Sequence, residues 1–259
     1  MNTIGIDDNL DRSRIRKLLV IGLLGCALTG AGDFLLGYAE PAEVAGGAFE
    51  AVLATAINLS DGALFAGGLL GVFGLFIEGL AFFGIYRLMA DAAPHYAHVF
   101  RSGIFFYLWL APVGCHMNMA LISYFYKRLW AVDPMAAHDA VGPLFLAFCI
   151  PLYVLLMVGW IPLLVVQWKA FSEGKTPYPA YAKWFNLATG AVPTLALSFL
   201  LGANTAIGSG IGTMFLSVGN AVTFGGLLAT LPSEERFQEF HTGHVVDAVM
   251  QNAQPSSIA

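Results

Sequence analysis

Three ionisable side chains lie inside apolar runs that are long enough to cross a bilayer: Asp33, Glu78 and His116. A charge at that depth costs roughly 2.5–3.5 kcal/mol even on lenient insertion scales, so such residues persist where they pair, stay neutral or line a polar cavity. An acid and a base together can hold a ligand, carry a proton or perform acid–base catalysis. These three residues are therefore the first candidates for a functional site.

The elements that must position these residues are membrane helices. Only 11% of the 259 residues are charged, 58% are hydrophobic and the mean hydropathy is +0.71, whereas a soluble domain carries about 25% charged residues. The sequence therefore predicts an integral membrane protein whose main partner is the lipid bilayer. The sequence has no patch of Lys and Arg residues that would favour a nucleic acid as a partner. The three cysteines fall in apolar segments, which argues against a disulfide framework.

Six apolar segments reach the length of about 20 residues that a spanning helix needs. They predict an all-α, polytopic membrane bundle of six transmembrane helices in one domain, residues 1–232, and a cytoplasmic amphipathic or disordered tail at 233–259. The short Gly208-Ser209-Gly210 sequence predicts a tight hairpin between the last two spans. The predicted spans are Ile15–Tyr38, Ala63–Met89, Ser102–Tyr126, Pro143–Gln167, Trp184–Ile207 and Ser209–Leu231.

Basic residues indicate the orientation, because Lys and Arg concentrate in cytoplasmic loops. With the N-terminus inside, Lys127 and Arg128 lie outside and the other ten of the 12 Lys and Arg residues lie in the cytoplasm. Both termini are therefore predicted to be cytoplasmic, in the bacterial inner membrane. The segment Glu40–Gly62 has no Lys or Arg, and its apolar residues predict an interfacial helix on the outer surface between the first two spans.

The helical spacing of small residues predicts that Asp33 and Glu78 both point into the bundle. Glu78 ends a face of small residues in the second span, and Asp33 lies beside a similar ridge in the first. Small residues let membrane helices approach closely, so we expect these ridges to be packing faces. The two ridges are Gly67, Gly71 and Gly74, and Gly22, Gly25, Thr29 and Gly32.

Depth along the helices decides which of these side chains can meet. A rise of about 1.5 Å per residue puts Asp33 and His116 on the outer side of the midplane and Glu78 on the inner side. We expect Asp33 to reach His116 directly, whereas Glu78 would need a water or a hydroxyl group to join them. Pro112 loosens the backbone one turn before His116, and Asn220 lies near the midplane of the last span.

Known catalytic patterns fit the chain poorly. Gly30-Ala31-Gly32-Asp33 matches the GxGD pattern of intramembrane aspartyl proteases, but that chemistry needs two carboxylates and no second aspartate occurs in the six spans. A zinc enzyme needs three or four converging ligands, and only one histidine lies in a span. In the tail, His241, His244 and Asp247 could bind a metal, but their spacing favours the solvated face of a short helix. We expect no metal and no cofactor.

Two short motifs carry a resemblance to a known family. Gly32-Asp33-Phe34-Leu35-Leu36-Gly37-Tyr38 in the first span and Ser217-Val218-Gly219-Asn220 in the last are similar to a broad family of uncharacterised bacterial six-helix membrane proteins. The resemblance covers most of the length, from the first span to the last. It implies that the GD pair and the GN pair, here Asp33 and Asn220, are positions of interest, and it implies no activity.

Three functions stay open, and binding or transport is favoured. A protein that binds or transports a small or lipophilic ligand would use Asp33 and His116 as polar contacts, Glu78 as a proton relay and Asn220 as an orienting group. Against transport, the spans show no paired discontinuous helices of the kind common in secondary transporters. The alternatives are an intramembrane acid–base enzyme acting on a lipid-soluble substrate, and a structural scaffold. A homo-oligomer is compatible with all three.

Overall fold

The computed structural model describes residues 11–44 and 48–253, and every regular element in those ranges is helical. The predicted all-α class is therefore confirmed. The helices are α1 (Arg12–Gly37), α2 (Ala48–Asn58), α3 (Asp61–Ala90), α4 (Pro94–Trp109), α5 (Asn118–Trp130), α6 (Pro134–Leu144), α7 (Ile150–Ser172), α8 (Leu187–Leu200), α9 (Ala206–Thr213), α10 (Phe215–Ala229) and α11 (Glu234–Ala253).

Three turns of other helix types, two π-helical and one 3-10, lie between these α-helices. A π-helical turn at Leu110–Met117 joins α4 to α5, a second at Phe145–Cys149 joins α6 to α7, and a 3-10 turn at Ala180–Trp184 precedes α8. Pro112 lies in the first π turn, and Pro143 lies just before the second. A proline cannot donate to the helical ladder and clashes with the preceding turn, and a wider π turn accommodates such a residue.

Several helices have the length and apolar character of membrane spans. Within the described ranges, α1, α3, Pro94–Trp130 and Pro134–Ser172 each qualify alone, and α9 with α10 qualifies as a pair bent by 53°. α8 is apolar but has only 14 residues, a length of about 21 Å, against a hydrocarbon core of about 30 Å. The chain thus has the helices of a membrane protein, while the count of six crossings stays a prediction.

The predicted hairpin at Gly208-Ser209-Gly210 is wrong, because these residues lie inside α9. The chain reverses at residues 201–205, where Gly202 has a φ of +86°, a left-handed conformation that glycine adopts without strain. Thr205 then starts α9 by accepting a hydrogen bond from the backbone of Gly208 at 3.0 Å, as a good N-cap residue does. The last predicted span is also interrupted, because α9 and α10 meet at a bend of 53° at Met214.

The ridges of small residues pack α1 against α3, the most extensive helix pair in the described chain. The two backbones nearly touch: a Cβ atom added at Gly25 would lie 2.8 Å from the amide nitrogen of Glu78, and one at Gly32 would lie 2.6 Å from that of Gly71. The predicted packing faces are therefore confirmed. Both acids lie on the inward side of this helix pair.

An aromatic cluster fills the bundle one turn beyond Glu78 along α3. Phe82 lies at its centre, and its ring centroid is 4.9–6.3 Å from those of Phe100, Tyr107, Trp160 and Phe224. These rings come from α4, α7 and α10, so the cluster joins three helices to α3. Aromatic pairs at such distances stabilise a core beyond the area they bury.

A helix is present in the predicted interfacial segment Glu40–Gly62. α2 packs on α5 and on the end of α1, and its Leu53 is fully buried in a cluster with Tyr126 and Phe145. The Thr55 hydroxyl lies 3.4 Å from that of Ser209 and connects α2 to α9. α2 therefore covers the end of the bundle where α1 ends and α3 begins.

Two basic residues of α5 fasten this end of the bundle. Lys127 binds the Asp61 carboxylate at 2.8 Å and donates to the carbonyl of Leu59, while Arg128 binds the other oxygen of Asp61. We expect Lys127→Met to lower the free energy of unfolding by about 1–3 kcal/mol, because a charged hydrogen bond to a half-buried carbonyl is lost. Thermal unfolding of the detergent-purified protein measures the change.

The matched control for this prediction is Arg128→Met. The Arg128 side chain is 56% exposed against 20% for Lys127, and exposed ion pairs contribute little. Arg128→Met should therefore melt close to the wild type. Equal melting temperatures for Lys127→Met and the wild type would show that Lys127 does not fasten α2 and α3.

The tail is helical over Glu234–Ala253 and packs against the bundle at the end of α3. Phe237 is buried in the core, and His241 Nδ1 lies 3.3 Å from Asp91 Oδ2 at the end of α3. His241 therefore contacts a carboxylate of the bundle. The side chains of His244 and Asp247, the other proposed metal ligands of the tail, lie outside the described residues.

Candidate functional site

Asp33 lies near the end of α1 and is contacted from three neighbouring segments. Its Oδ1 atom is 3.3 Å from His116 Nδ1, and its Oδ2 atom accepts a 2.5 Å hydrogen bond from the Ser217 hydroxyl. The Thr213 hydroxyl donates to the Asp33 backbone carbonyl at 2.7 Å. The structure thus brings Asp33 and His116 together, as their depths predict, and adds Ser217 and Thr213.

His116 is positioned by the first π turn and by a glycine of α3. Its Nε2 atom lies 3.1 Å from the carbonyl oxygen of Gly67, and the ring lies directly over Gly71, where any Cβ atom would overlap it. The glycine ridge of α3 therefore has a second role. It leaves the space that the imidazole ring occupies.

The partners of His116 define how many protons the pair holds. The Gly67 carbonyl can only accept, so Nε2 carries a proton. With no proton on Nδ1 or on Asp33, two acceptors would face each other across the 3.3 Å contact. One further proton therefore lies in that contact, either on Nδ1 as an imidazolium ion or on the Asp33 carboxyl group; the assignment comes from the partners of each atom.

The same geometry does not suit a serine hydrolase. In such an enzyme the histidine takes the proton of the nucleophilic hydroxyl, and an acid orients the histidine. Here Ser217 donates to Asp33, and both nitrogens of His116 are engaged with Asp33 and Gly67. His116 is therefore not placed to activate Ser217.

Glu78 is fully buried between α3, α4 and α10. Its Oε2 atom accepts hydrogen bonds from the Tyr107 hydroxyl at 2.9 Å and from Asn220 Nδ2 at 2.5 Å. The Thr29 hydroxyl lies beside the carboxyl group but donates to the carbonyl of Gly25. Among the described residues Oε1 has no hydrogen-bond partner, so it is the oxygen left to carry a proton.

The Asp33–His116 pair lies where two cavities meet. The larger, which we call the outer cavity, has a volume of about 450 Å³ and lies beneath α2. The smaller, which we call the inner cavity, has a volume of about 70 Å³. The polar residues of the outer cavity include Asp33, Thr55, His116, Ser123, Ser198 and Ser209.

The inner cavity connects the pair towards Glu78. Asp33, His116 and Tyr153 line both cavities, and Tyr107 lines the inner one. The Tyr107 hydroxyl in turn donates to Glu78. The Tyr107 hydroxyl therefore connects Glu78 to the wall of the inner cavity, and a link from there to the Asp33–His116 pair stays a prediction.

A larger cavity, about 670 Å³, lies elsewhere. It is a groove between α7 and α8 with almost entirely apolar walls, among them Trp168, Trp184 and Val192. It touches none of the three buried ionisable residues, and its apolar walls suit contact with lipid chains. We therefore place the candidate site at the smaller but more polar outer cavity.

Sequence reasoning missed the hydroxyl partners of both acids. Ser217 belongs to the motif Ser217-Val218-Gly219-Asn220, so its position was noted without a role, and Tyr107 carried no signal beyond its place in an apolar span. Asn220 was predicted to orient a ligand, and the structure instead places its amide on Glu78. No group of three potential metal ligands occurs among the side chains that the structure describes, those of residues 11–44 and 51–243.

Comparison with known proteins yields a family and no activity. No curated protein and no solved structure matches the chain. The bacterial origin and the GD and GN motifs of the expected family stay predictions, whereas the expectation of an uncharacterised family is confirmed. The model of one family, described as a family of unknown function, matches residues 1–234, and the chain belongs to this family, DUF6796.

Proposed function

We propose that this protein binds or transports a small, lipophilic or weakly polar ligand in the outer cavity, with Asp33 and His116 as its polar contacts. The observation that carries the proposal is the position of this acid–base pair, in contact at 3.3 Å on the wall of a cavity of about 450 Å³. Ligand sites typically have volumes of about 300–1,000 Å³ and a few polar groups in apolar walls. The outer cavity fits that description.

The break between α9 and α10 supports transport more than the sequence did. Secondary transporters often place their sites at discontinuous helices near the middle of the membrane. Here the 53° bend at Met214 lies between Thr213 and Ser217, both of which bind Asp33. The proposed site is therefore next to a discontinuous helix.

Glu78 serves in this proposal as a deeper proton site. Burial favours the neutral form of a carboxyl group, and Tyr107 links Glu78 to the inner cavity. Asn220 holds the carboxyl group in place through its amide. A proton that leaves the Asp33–His116 pair has a short route to Glu78.

The proposal includes the orientation in the bacterial inner membrane. Six crossings with both termini in the cytoplasm agree with the distribution of basic residues. In that arrangement α8 crosses as a short span that packs along α10, and α2 lies on the outer surface. The outer cavity then faces away from the cytoplasm.

An acid–base enzyme receives less support from the same geometry. The two nitrogens of His116 already have partners in Asp33 and Gly67, so a substrate would first have to displace one of them. A scaffold would explain the bonds around Glu78, but it gives no reason for a cavity beside Asp33. Binding or transport accounts for both features.

A thermal-shift screen tests the proposal. The purified protein and Asp33→Asn are melted in detergent across pH and with a panel of lipids, metals and metabolites. We expect at least one ligand to raise the melting temperature of the wild type by several degrees and to leave Asp33→Asn unchanged, because only a ligand bound at the site stabilises the folded state.

Asp61→Asn provides the control for this screen. Asp61 is an acid outside the outer cavity, at the start of α3, so this variant should keep the full response to the ligand. Identical responses of the wild type and Asp33→Asn under every condition would refute a site at Asp33 and favour the scaffold.

A further inference from the structure

The charges around the outer cavity point to the class of its ligand. Its described lining includes the carboxyl group of Asp33 and neither Lys nor Arg. An anion would meet Asp33 without a counter-charge, at a depth where an unpaired charge is costly. We propose that the ligand is a small amphipathic organic cation, which exchanges for the proton held between Asp33 and His116; this deepens the proposed function and rests on it.

The exchange leaves the net charge of the site unchanged. Before binding, the pair is neutral overall, either as an imidazolium ion beside a carboxylate or as a neutral imidazole beside a carboxylic acid. When the cation arrives, the proton held between the two groups leaves to the outer solution and the Asp33 carboxylate pairs with the cation. His116 is then neutral and keeps its Nε2 proton on the Gly67 carbonyl. Because a buried uncompensated charge is strongly unfavourable, this one-for-one exchange is the least costly way to admit a charged ligand.

The remaining walls of the cavity suit the apolar part of such a ligand. Leu36, Val52 and Leu195 line it, and so do the rings of Tyr153 and Phe215. Aromatic rings also attract organic cations electrostatically. The cavity therefore combines one acid with apolar and aromatic surface, as an amphipathic cation requires.

Other titratable groups near the pair do not replace it as the proton source. Glu78 on α3, Tyr107 on α4, Cys115 in the first π turn and Tyr153 on α7 are its titratable neighbours in the described chain. Phenols and thiols are neutral near pH 7, and Glu78 does not line the outer cavity. α9 and α10 present the hydroxyl groups of Thr213 and Ser217. The proton that a cation displaces therefore comes from Asp33 and His116.

Isothermal titration calorimetry with three matched compounds tests the inference. They are benzyltrimethylammonium, which carries a permanent charge, neopentylbenzene, in which carbon replaces the nitrogen, and phenylmethanesulfonate, an anion of similar size. Titrations in buffers of different ionisation enthalpy count the protons released. We expect only the cation to bind, with release of about one proton and an affinity that rises about tenfold per pH unit while the pair is protonated.

Two variants complete the test. Asp33→Asn should lose at least about tenfold in affinity for the cation, a change of about 1.4 kcal/mol, and Asp61→Asn should bind as the wild type does. The proton count is measured on the wild-type protein, so it decides the matter even where Asp33→Asn does not fold.

The outcomes separate the ligand class from the existence of a site. Binding of the neutral compound as tightly as the cation, or binding of the cation without proton release, would overturn the exchange while leaving a ligand site at Asp33. Binding by none of the three compounds would also overturn it. In that case the thermal-shift screen with Asp33→Asn decides whether the proposed function survives with a ligand of another class.

Discussion

Replacement of Glu78 by alanine is expected to lower the stability of the protein far more than replacement by glutamine. Alanine removes the acceptor of Tyr107 and Asn220 and leaves two buried donors unpaired, at about 1–3 kcal/mol each. Glutamine keeps a carbonyl oxygen at the position of Oε2. Its amide nitrogen takes the place of Oε1, where a protonated carboxyl group also carries a hydrogen without a partner in the described structure, so glutamine adds only one further unpaired hydrogen.

Melting curves of the two variants in detergent measure this difference. Glu78→Ala should melt far below the wild type, and Glu78→Gln should melt close to it. Glu173→Ala is the control, since Glu173 also accepts from a tyrosine, Tyr96, but on the surface, where water replaces the lost partner. If glutamine destabilised the protein as much as alanine, the negative charge of Glu78 would be required for folding, and a neutral relay site would be excluded.

Substitution of Gly71 by alanine is expected to separate His116 from Asp33. The added Cβ atom would overlap the imidazole ring, so the ring must leave its contacts with Asp33 and the Gly67 carbonyl. Overpacking of this kind costs about 1–3 kcal/mol. The imidazole ¹⁵N chemical shifts of labelled protein report the change, because they distinguish a protonated from an unprotonated nitrogen.

The wild type should show His116 with a fixed Nε2 proton, and Gly71→Ala should show a freely titrating histidine. Gly84→Ala is the control on the same helix, since its added Cβ atom meets Leu18 Cβ at 3.2 Å and none of its nearest neighbours belongs to His116 or Asp33. His116→Gln assigns the resonance among the six histidines. Unchanged His116 shifts in Gly71→Ala would show that the ring does not depend on this glycine.

Features that depend on local spacing could be predicted from the sequence. The helical class follows from long apolar runs, and the glycine ridges follow from intervals of three and four residues. The approach of Asp33 to His116 follows from their similar depths. Each of these inferences needs only the geometry of a single helix or a comparison of two helices in a layer of known thickness.

The hydroxyl partners of the acids could not be predicted in the same way. Tyr107 bonds to Glu78 over 29 residues, and Ser217 bonds to Asp33 over 184 residues. Serine and tyrosine are common in membrane helices, so their presence alone does not indicate which of them face an acid. Only the packing of α3 against α4, and of α1 against α10, selects these two.

The region around α8 contains sequence signals for the two ends of that helix, although its hydrophobic pattern predicts one long span. The apolar run Trp184–Ile207 reads as one long span, but Asn186 and Thr189 form a capping box that begins α8 at Leu187, and Gly202 adopts a left-handed conformation just beyond its end. Capping residues mark helix ends more directly than hydropathy does. The short length of α8 follows from them.

The outer cavity also determines where a membrane voltage acts. In the proposed orientation the outer cavity is a polar space that reaches inward as far as Asp33. The membrane potential therefore falls mainly across the packed protein between Asp33 and the cytoplasmic side. A unit charge moved through 100 mV changes its energy by about 2.3 kcal/mol. A cation that replaces a proton at Asp33 moves little net charge through this field, whereas a proton that continues to Glu78 is drawn inward by a negative interior. The exchange is thus electrically silent, and the voltage drives only a proton that passes inward to Glu78 instead of leaving to the outer solution.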